Sequence, residues 1–220
     1  VRYMADLIDW DGRLVGIVGS RGVGKSTMLL QRLKAHRNDG FWLYVAADHI
    51  YFANHSLVNL ADDFVKEGGT HLYIDEAHKY RNWSCELKQI YDVHPDLHVV
   101  FTGSSVLDIT KGEADLSRRA LMYSMQGLSF REYLELFHDV KTEKHTLAEI
   151  LAHKVELPVP HPLPLFRDYM AFGYYPFAKE NGFSIRMEQI ISQTIDSDIP
   201  QYADMLASTA RKLKQMLAVI

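Results

Sequence analysis

The sequence predicts an α/β fold: three layers, α/β/α, around a mainly parallel sheet of five strands, followed by a small helical region. Three observations predict it. Short apolar runs alternate with segments of helical spacing, the pattern of strands joined by covering helices. The first run leads into Gly19-Ser20-Arg21-Gly22-Val23-Gly24-Lys25-Ser26, which reads G-x-x-x-x-G-K-S and opens a helix. The third run ends in two acids, Asp75 and Glu76, about fifty residues downstream of that loop.

The strands are expected at Leu14–Val18, 41–46, 71–74, 97–102 and 120–125. The first three helices are expected near 25–36, 56–67 and 83–92. Gly68 and Gly69 stop the second of these. After the fifth strand Ser129 precedes Glu132 in the spacing S-x-x-E, a capping box that starts another helix. The character changes after residue 139: a polar stretch is followed by helical spacing over about 145–155, 163–171, 184–197 and 207–220. Prolines between Pro158 and Pro164 interrupt it. The chain is therefore divided into a core, 1–139, and a helical lid, 140–220. It begins at Val1 and ends inside a helical pattern with no stop signal, so it reads as part of a longer protein.

The loop carries the chemistry. Its glycines let backbone N–H groups turn inward around phosphate oxygens, and the new helix adds the positive end of its dipole. Gly19, Ser20, Arg21, Gly22, Val23, Gly24, Lys25, Ser26 and Thr27 are the expected nucleotide-binding residues. Lys25 reaches the β- and γ-phosphates, and the Ser26 hydroxyl ligates Mg²⁺. Asp75, at the end of its strand, is the second expected Mg²⁺ residue. Glu76 is the expected general base for an attacking water.

The next strand ends Phe101-Thr102-Gly103-Ser104-Ser105. Thr102 and Ser104 are candidates to sense a γ-phosphate, while Ser104 and Ser105 equally suit a helix cap. Arg118 and Arg119 precede the fifth strand. One guanidinium could serve a γ-phosphate, in its own subunit or a neighbour's; the alternative is a solvated turn pairing with nearby acids. Tyr3 and Met4 lie about ten residues before the loop strand, where a base could pack; N-terminal packing is the alternative.

Composition excludes several classes. A net charge of −4 with interspersed signs gives no basic face, so nucleic acid is unsupported. The single cysteine permits no internal disulfide and points to a reducing, cytoplasmic setting. No apolar run is long enough to span a membrane. The histidines lack ligand spacing; His94 and His98, for example, flank Pro95.

The Gly19–Ser26 loop, the run from Leu72 to His78, Phe101 to Ser105, Leu116 to Arg119, and Gly127-Leu128-Ser129-Phe130-Arg131-Glu132-Tyr133 occur in an order that resembles ATPases of the AAA+ type. More narrowly, they resemble the bacterial and archaeal predicted AAA-family ATPases that carry a C-terminal domain of unknown function. The stretch Gly173-Tyr174-Tyr175-Pro176 is similar to a G-x-x-P element of the same family. The resemblance implies ATP or ADP and Mg²⁺ as ligands, a helical lid, and an effector region or protein partner beyond residue 220. It also raises a second sensor arginine in the lid, for which Arg186 and Arg211 are the candidates.

Three readings follow. The chain is a Mg²⁺-dependent ATPase coupled to conformational change, with a homo-oligomer among its possible assemblies. Alternatively it is a slow-turnover nucleotide switch, or a small-molecule phosphotransferase. Glu76 and the hydroxyl-ended strand argue against the last. The absence of an N-K-x-D guanine-reading motif favours ATP over GTP.

Overall fold

The computed structural model describes residues 2–104, 116, 118–156, 158–198, 209, 212–213 and 215–216, without the side chains of 197 and 198. Five strands form one sheet: β1 (Leu14–Val18), β2 (Trp42–Ala46), β3 (His71–Asp75), β4 (His98–Gly103) and β5 (Leu121–Ser124). Their order across the sheet is β2-β3-β4-β1-β5, and every adjacent pair is parallel. Parallel neighbours need a crossover. Helix α1 (Lys25–His36) joins β1 to β2, α2 (Leu57–Lys66) joins β2 to β3, and α3 (Trp83–Val93) joins β3 to β4.

Alternation along the strands builds the layers. Leu14, Leu72, Ile74, Val99 and Phe101 face one side and pack on Leu57, Ala61 and Phe64 of α2 and Leu87 and Ile90 of α3. Val15, Ile17, Tyr73 and Val100 face the other and pack on Met28 and Leu29 of α1. Both faces are covered, which explains why these strands read as continuous apolar runs. The side chain of Ser56 accepts from the Asn59 N–H to start α2. The amides of Gly68 and Gly69 close its end on Val65 and Phe64 carbonyls, at the predicted stop.

Helices continue after β5: α4 (Phe130–His138), α5 (Leu147–Leu151), α6 (Pro162–Phe172) and α7 (Phe183–Gln193). The capping box at Ser129 and Glu132 forms with both reciprocal bonds present. A second box, Thr146 with Glu149, starts α5. That helix is a single short turn rather than the span expected at 145–155, because His153 leaves it with φ of 53°. Among the described residues, no helix is long and apolar enough to cross a membrane. Of the segment expected to be helical at 207–220, the described residues are helical.

The N-terminal edge of the sheet carries an aromatic ladder. Trp42, His71 and His98 are cross-strand partners. Trp42 stacks on His71 at 3.9 Å between ring centroids, and His71 stacks on His98 at 5.1 Å. Burial, then the charges of His98, Arg32 and His36, lower the His71 pKa from 6.5; Asp11 opposes weakly. The folded state therefore prefers neutral His71. Its contribution to stability is complete above the ordinary histidine value and is lost as pH falls below it. Urea midpoints should accordingly drop between pH 7 and pH 5, and His71→Phe, which keeps the stack without the titration, should flatten part of that drop. An unchanged pH slope in the variant would rule out His71 as its source.

Candidate functional site

Register brings the chemistry to one edge. Val18, the last residue of β1, pairs with Gly103 and with Ser124, and Asp75 pairs with Ala46. The phosphate loop, the acid pair and the end of β4 therefore open on the same side. Strand β4 lies between the loop strand and the acid strand.

The loop is held by close packing. A Cβ on Gly19 would strike the carbonyl oxygen of Met125. Gly22 has φ of 79°, and a Cβ there would sit 2.8 Å from the Phe177 ring. No side chain larger than hydrogen fits either place without displacing backbone or an aromatic ring. Lys25 is 5 % exposed, and its ammonium donates to the carbonyls of Gly19 at 2.7 Å and Ser20 at 3.1 Å. The first turn of α1 contains no acid, so its positive end keeps its field. A buried cation beside a helix N-terminus favours a polyanion. Arg21, Gly22, Gly24, Lys25, Ser26, Thr27, Glu76 and Lys79 line a cleft of about 400 Å³ there.

Asp75 is buried and accepts two hydrogen bonds, from Thr102 Oγ1 at 2.5 Å and from Tyr44 Oη at 2.7 Å. Burial, then that bond and the Asp75 charge, push the Tyr44 hydroxyl pKa far up, so it remains a donor. Glu76 follows in the left-handed region, with φ of 53°. That conformation costs a non-glycine residue about 1 kcal/mol or more. The Glu76 amide donates to Thr102 Oγ1 at 2.9 Å, which helps to hold it there. Thr102 is fully buried and uses its one hydroxyl proton on Asp75. Thr102, the expected γ-phosphate sensor, thus lies beside both acids and braces them. Ser104, at the mouth of β4, is also buried; Ser105 lies outside the described residues.

A second cleft, about 380 Å³, continues from the loop between α1 and α4. Arg2, Thr27, Gln31, Leu128, Leu136 and Pro176 are among its walls. Arg2 is the residue that reading the sequence missed. Its guanidinium donates to Glu132 Oε1 at 2.8 Å, to the Val23 carbonyl, and to the carbonyls of Gln126 and Gly127. Burial alone would raise the Glu132 pKa, but bonds from the Ser129 backbone and Arg2 outweigh it and hold it low. Tyr3 and Met4 do not line the cleft. Tyr3 donates to Glu135 at 2.6 Å, and Met4, half-buried, packs against the core. An arginine two residues into the chain leaves no motif to find; the unusual Gly127–Tyr133 run was the available signal.

The arginine candidates lie elsewhere. Leu121 pairs with Val15, so Arg119 is level with the residue before β1. Gly19 is six strand steps away, about 20 Å. Arg119 forms a two-pronged ion pair with Asp92 at the end of α3, at 2.9 and 3.1 Å. Arg118 is exposed at the same edge. A γ-phosphate role within the same subunit is thereby excluded by reach for both. Arg186 pairs with Glu180 at 2.6 Å and stacks over Phe177, whose ring separates it from Gly22. Arg211 lies outside the described residues. Among the described residues, no group of three or more His, Cys, Asp or Glu is placed to hold a metal by itself.

A sequence model described as AAA domain matches residues 11–134, more than half of the chain. The uncharacterized protein MJ1637 of Methanocaldococcus jannaschii is 28 % identical over 239 residues, covering 93 % of this chain and 48 % of that protein. The chain thus spans about half the length of the curated relative it matches. Among solved structures, PCH-2 of C. elegans aligns with a TM-score of 0.49 at 18 % identity, covering 86 % of this chain and 56 % of that one.

Replacing Thr102 with Val removes the brace while keeping the shape. It leaves the Glu76 amide and one Asp75 oxygen without their partner, at an expected cost of about 1–3 kcal/mol. Urea denaturation of the variant measures it; an unchanged midpoint would mean that the hydroxyl is not what holds the acid pair.

Proposed function

The chain belongs to the AAA domain family, and from that premise we propose that it binds ATP or ADP with Mg²⁺ and hydrolyses ATP to ADP and phosphate, coupling turnover to conformational change. The observation that carries the reading is the convergence of Lys25, Ser26 and Glu76 on one cleft, with Asp75 fixed behind it.

In this reading Lys25 leaves its loop carbonyls for the β- and γ-phosphate oxygens. The donor set suits Mg²⁺: a hydroxyl and a carboxylate are hard oxygen ligands, and this ion takes few protein ligands when phosphates supply the rest. Ser26 and Asp75 would hold it, and its charge when bound offsets that of the phosphate oxygens. Glu76 accepts a proton from a water whose oxygen attacks the γ-phosphorus. The bond from that phosphorus to the bridging oxygen breaks, and ADP leaves with the bond's electron pair. The cleft walled by Arg2, Gln31, Leu128, Leu136 and Pro176 would take the nucleoside.

The same reading treats 1–139 as the core and 140–220 as the lid. Its support is the seating of Phe177 and Ile190 on Gly22 and of Pro176 on Gly24, which puts the second segment in touch with the loop. Arg118 and Arg119 enter this reading only from a second copy, as residues of a homo-oligomer. The cytoplasm is the proposed setting, and a protein partner or effector is the proposed recipient of the change.

Lys25→Ala should lose ATP and ADP affinity by at least about 100-fold in equilibrium titration, and retained affinity would sink the loop assignment. Glu76→Gln should keep ATP bound while turnover falls about 10²–10⁴-fold. ATP turnover measured with Mg²⁺ across a protein concentration series separates the readings. A rate per subunit that climbs with concentration supports an arginine supplied by a neighbour. Tight binding with no turnover at any concentration favours the switch.

A further inference from the structure

Besides Lys25 and Arg21, a third cationic side chain lines the phosphate cleft: Lys79. Its place follows from the turn that carries it. The 3₁₀ turn Ala77–Lys79 starts at Glu76, and the Lys79 amide donates to the Glu76 carbonyl at 2.9 Å. With three residues per turn, side chains at i and i+3 eclipse. Lys79 is thereby stacked over Glu76, and its ammonium lies 3.3 Å from Glu76 Oε2. The third corner is Asp48, just past β2, whose Oδ2 accepts from Lys79 at 2.6 Å. Asp48 is brought there because the preceding residue, Ala47, bonds its amide to the Asp75 carbonyl. His78, buried, stands 3.8 Å from the same Glu76 oxygen.

An ordinary surface ion pair contributes little. This one differs in position and in count. It lies inside the phosphate cleft, its anion is the backbone-strained Glu76, and one ammonium serves two carboxylates. Partial burial works against the charge on Lys79, yet the Asp48 bond and Glu76 outweigh it and raise its pKa above that of a free lysine. The Lys79 bond in turn lowers the Asp48 pKa. A triphosphate in the cleft would repel an unscreened Glu76 carboxylate, so the same cation would matter most with ATP bound.

We propose that Lys79, braced by Asp48, is a positioning residue for hydrolysis: it holds the Glu76 carboxylate at the phosphate cleft against repulsion from the nucleotide. The inference rests on the ATPase reading above. It also supplies, from within the subunit, a cation that Arg118 and Arg119 cannot supply there.

The test compares wild type with Lys79→Met, Lys79→Arg, Asp48→Asn, Glu76→Gln and the Lys79→Met/Glu76→Gln double variant. Saturating ATP turnover and ADP affinity are measured side by side. Lys79→Met should cut kcat by about tenfold or more while ADP affinity stays within about twofold. Lys79→Arg should recover most of the rate, and Asp48→Asn should fall between. On the Glu76→Gln background, Lys79→Met should change the residual rate by less than about twofold, since a residue acting through Glu76 has nothing left to act on. Wild-type kcat in Lys79→Met, an equal loss of ADP affinity, or the full tenfold loss persisting in the double variant would each overturn the inference and leave the ATPase reading standing. Absence of turnover in wild type would overturn that reading and the inference with it.

Discussion

Everything at the site depends on β4 lying between β1 and β3. The loop strand and the acid strand are not neighbours; each hydrogen-bonds to β4 instead. That intervening strand sets the gap between Lys25 and Asp75, and it puts a residue of its own between them. Thr102 is that residue, with one hydroxyl that accepts from the Glu76 amide and donates to Asp75. A buried polar group needs partners, and a buried carboxylate needs them most. Thr102 and Tyr44 meet that need from the strands on either side of β3, so the sheet itself fixes the acid pair.

The strained Glu76 backbone follows from the same geometry. The chain must leave β3 without turning Glu76 into the core. The left-handed step lifts it to the cleft and starts the 3₁₀ turn that places His78 and Lys79 around its carboxylate. The bond to Thr102 offsets part of the strain, and the ion pairs restrain the side chain. The cluster of Asp48, Glu76, Lys79 and buried His78 is thus one electrostatic unit built on one irregular residue.

Much of the fold, and the meeting of the glycine loop and the acid pair at one cleft, were legible in the sequence. Strand runs are apolar because both faces of a parallel sheet are buried, and glycines in the loop are forced by Met125 and Phe177, so both leave patterns that a reader can find. The capping box at Ser129 was legible for the same reason: a helix end has few ways to satisfy its amides. Strand order was not, because adjacency across the sheet leaves no local trace. Without the order, Thr102 could only be read as a hydroxyl near a phosphate, not as a brace. Without the direction of β5, Arg118 and Arg119 could be placed before a strand but not at the edge away from the loop. Tyr3 and Met4 drew attention by their distance from the loop strand, while the neighbouring Arg2 lines the second cleft.

Arg2 explains why the Gly127–Tyr133 run is so specific. Glu132 answers two demands: it closes the capping box on Ser129, and it holds the Arg2 guanidinium, while the Tyr3 amide bonds it too. Arg2 then reaches the carbonyls of Val23, Gln126 and Gly127. Gly127 stands against Tyr174, and the Leu128 amide bonds to the Tyr174 carbonyl. Two and three residues further, Pro176 and Phe177 rest on Gly24 and Gly22. The phosphate loop is therefore gripped from two sides by segments that also grip each other. A displacement of the loop backbone at Val23 strains the Arg2 bond, and a displacement at Gly22 pushes on Phe177. Under the proposed function, a rearrangement of the loop around phosphates would be shared with the helices after β5, because close-packed contacts and charge-assisted bonds leave little slack to absorb it.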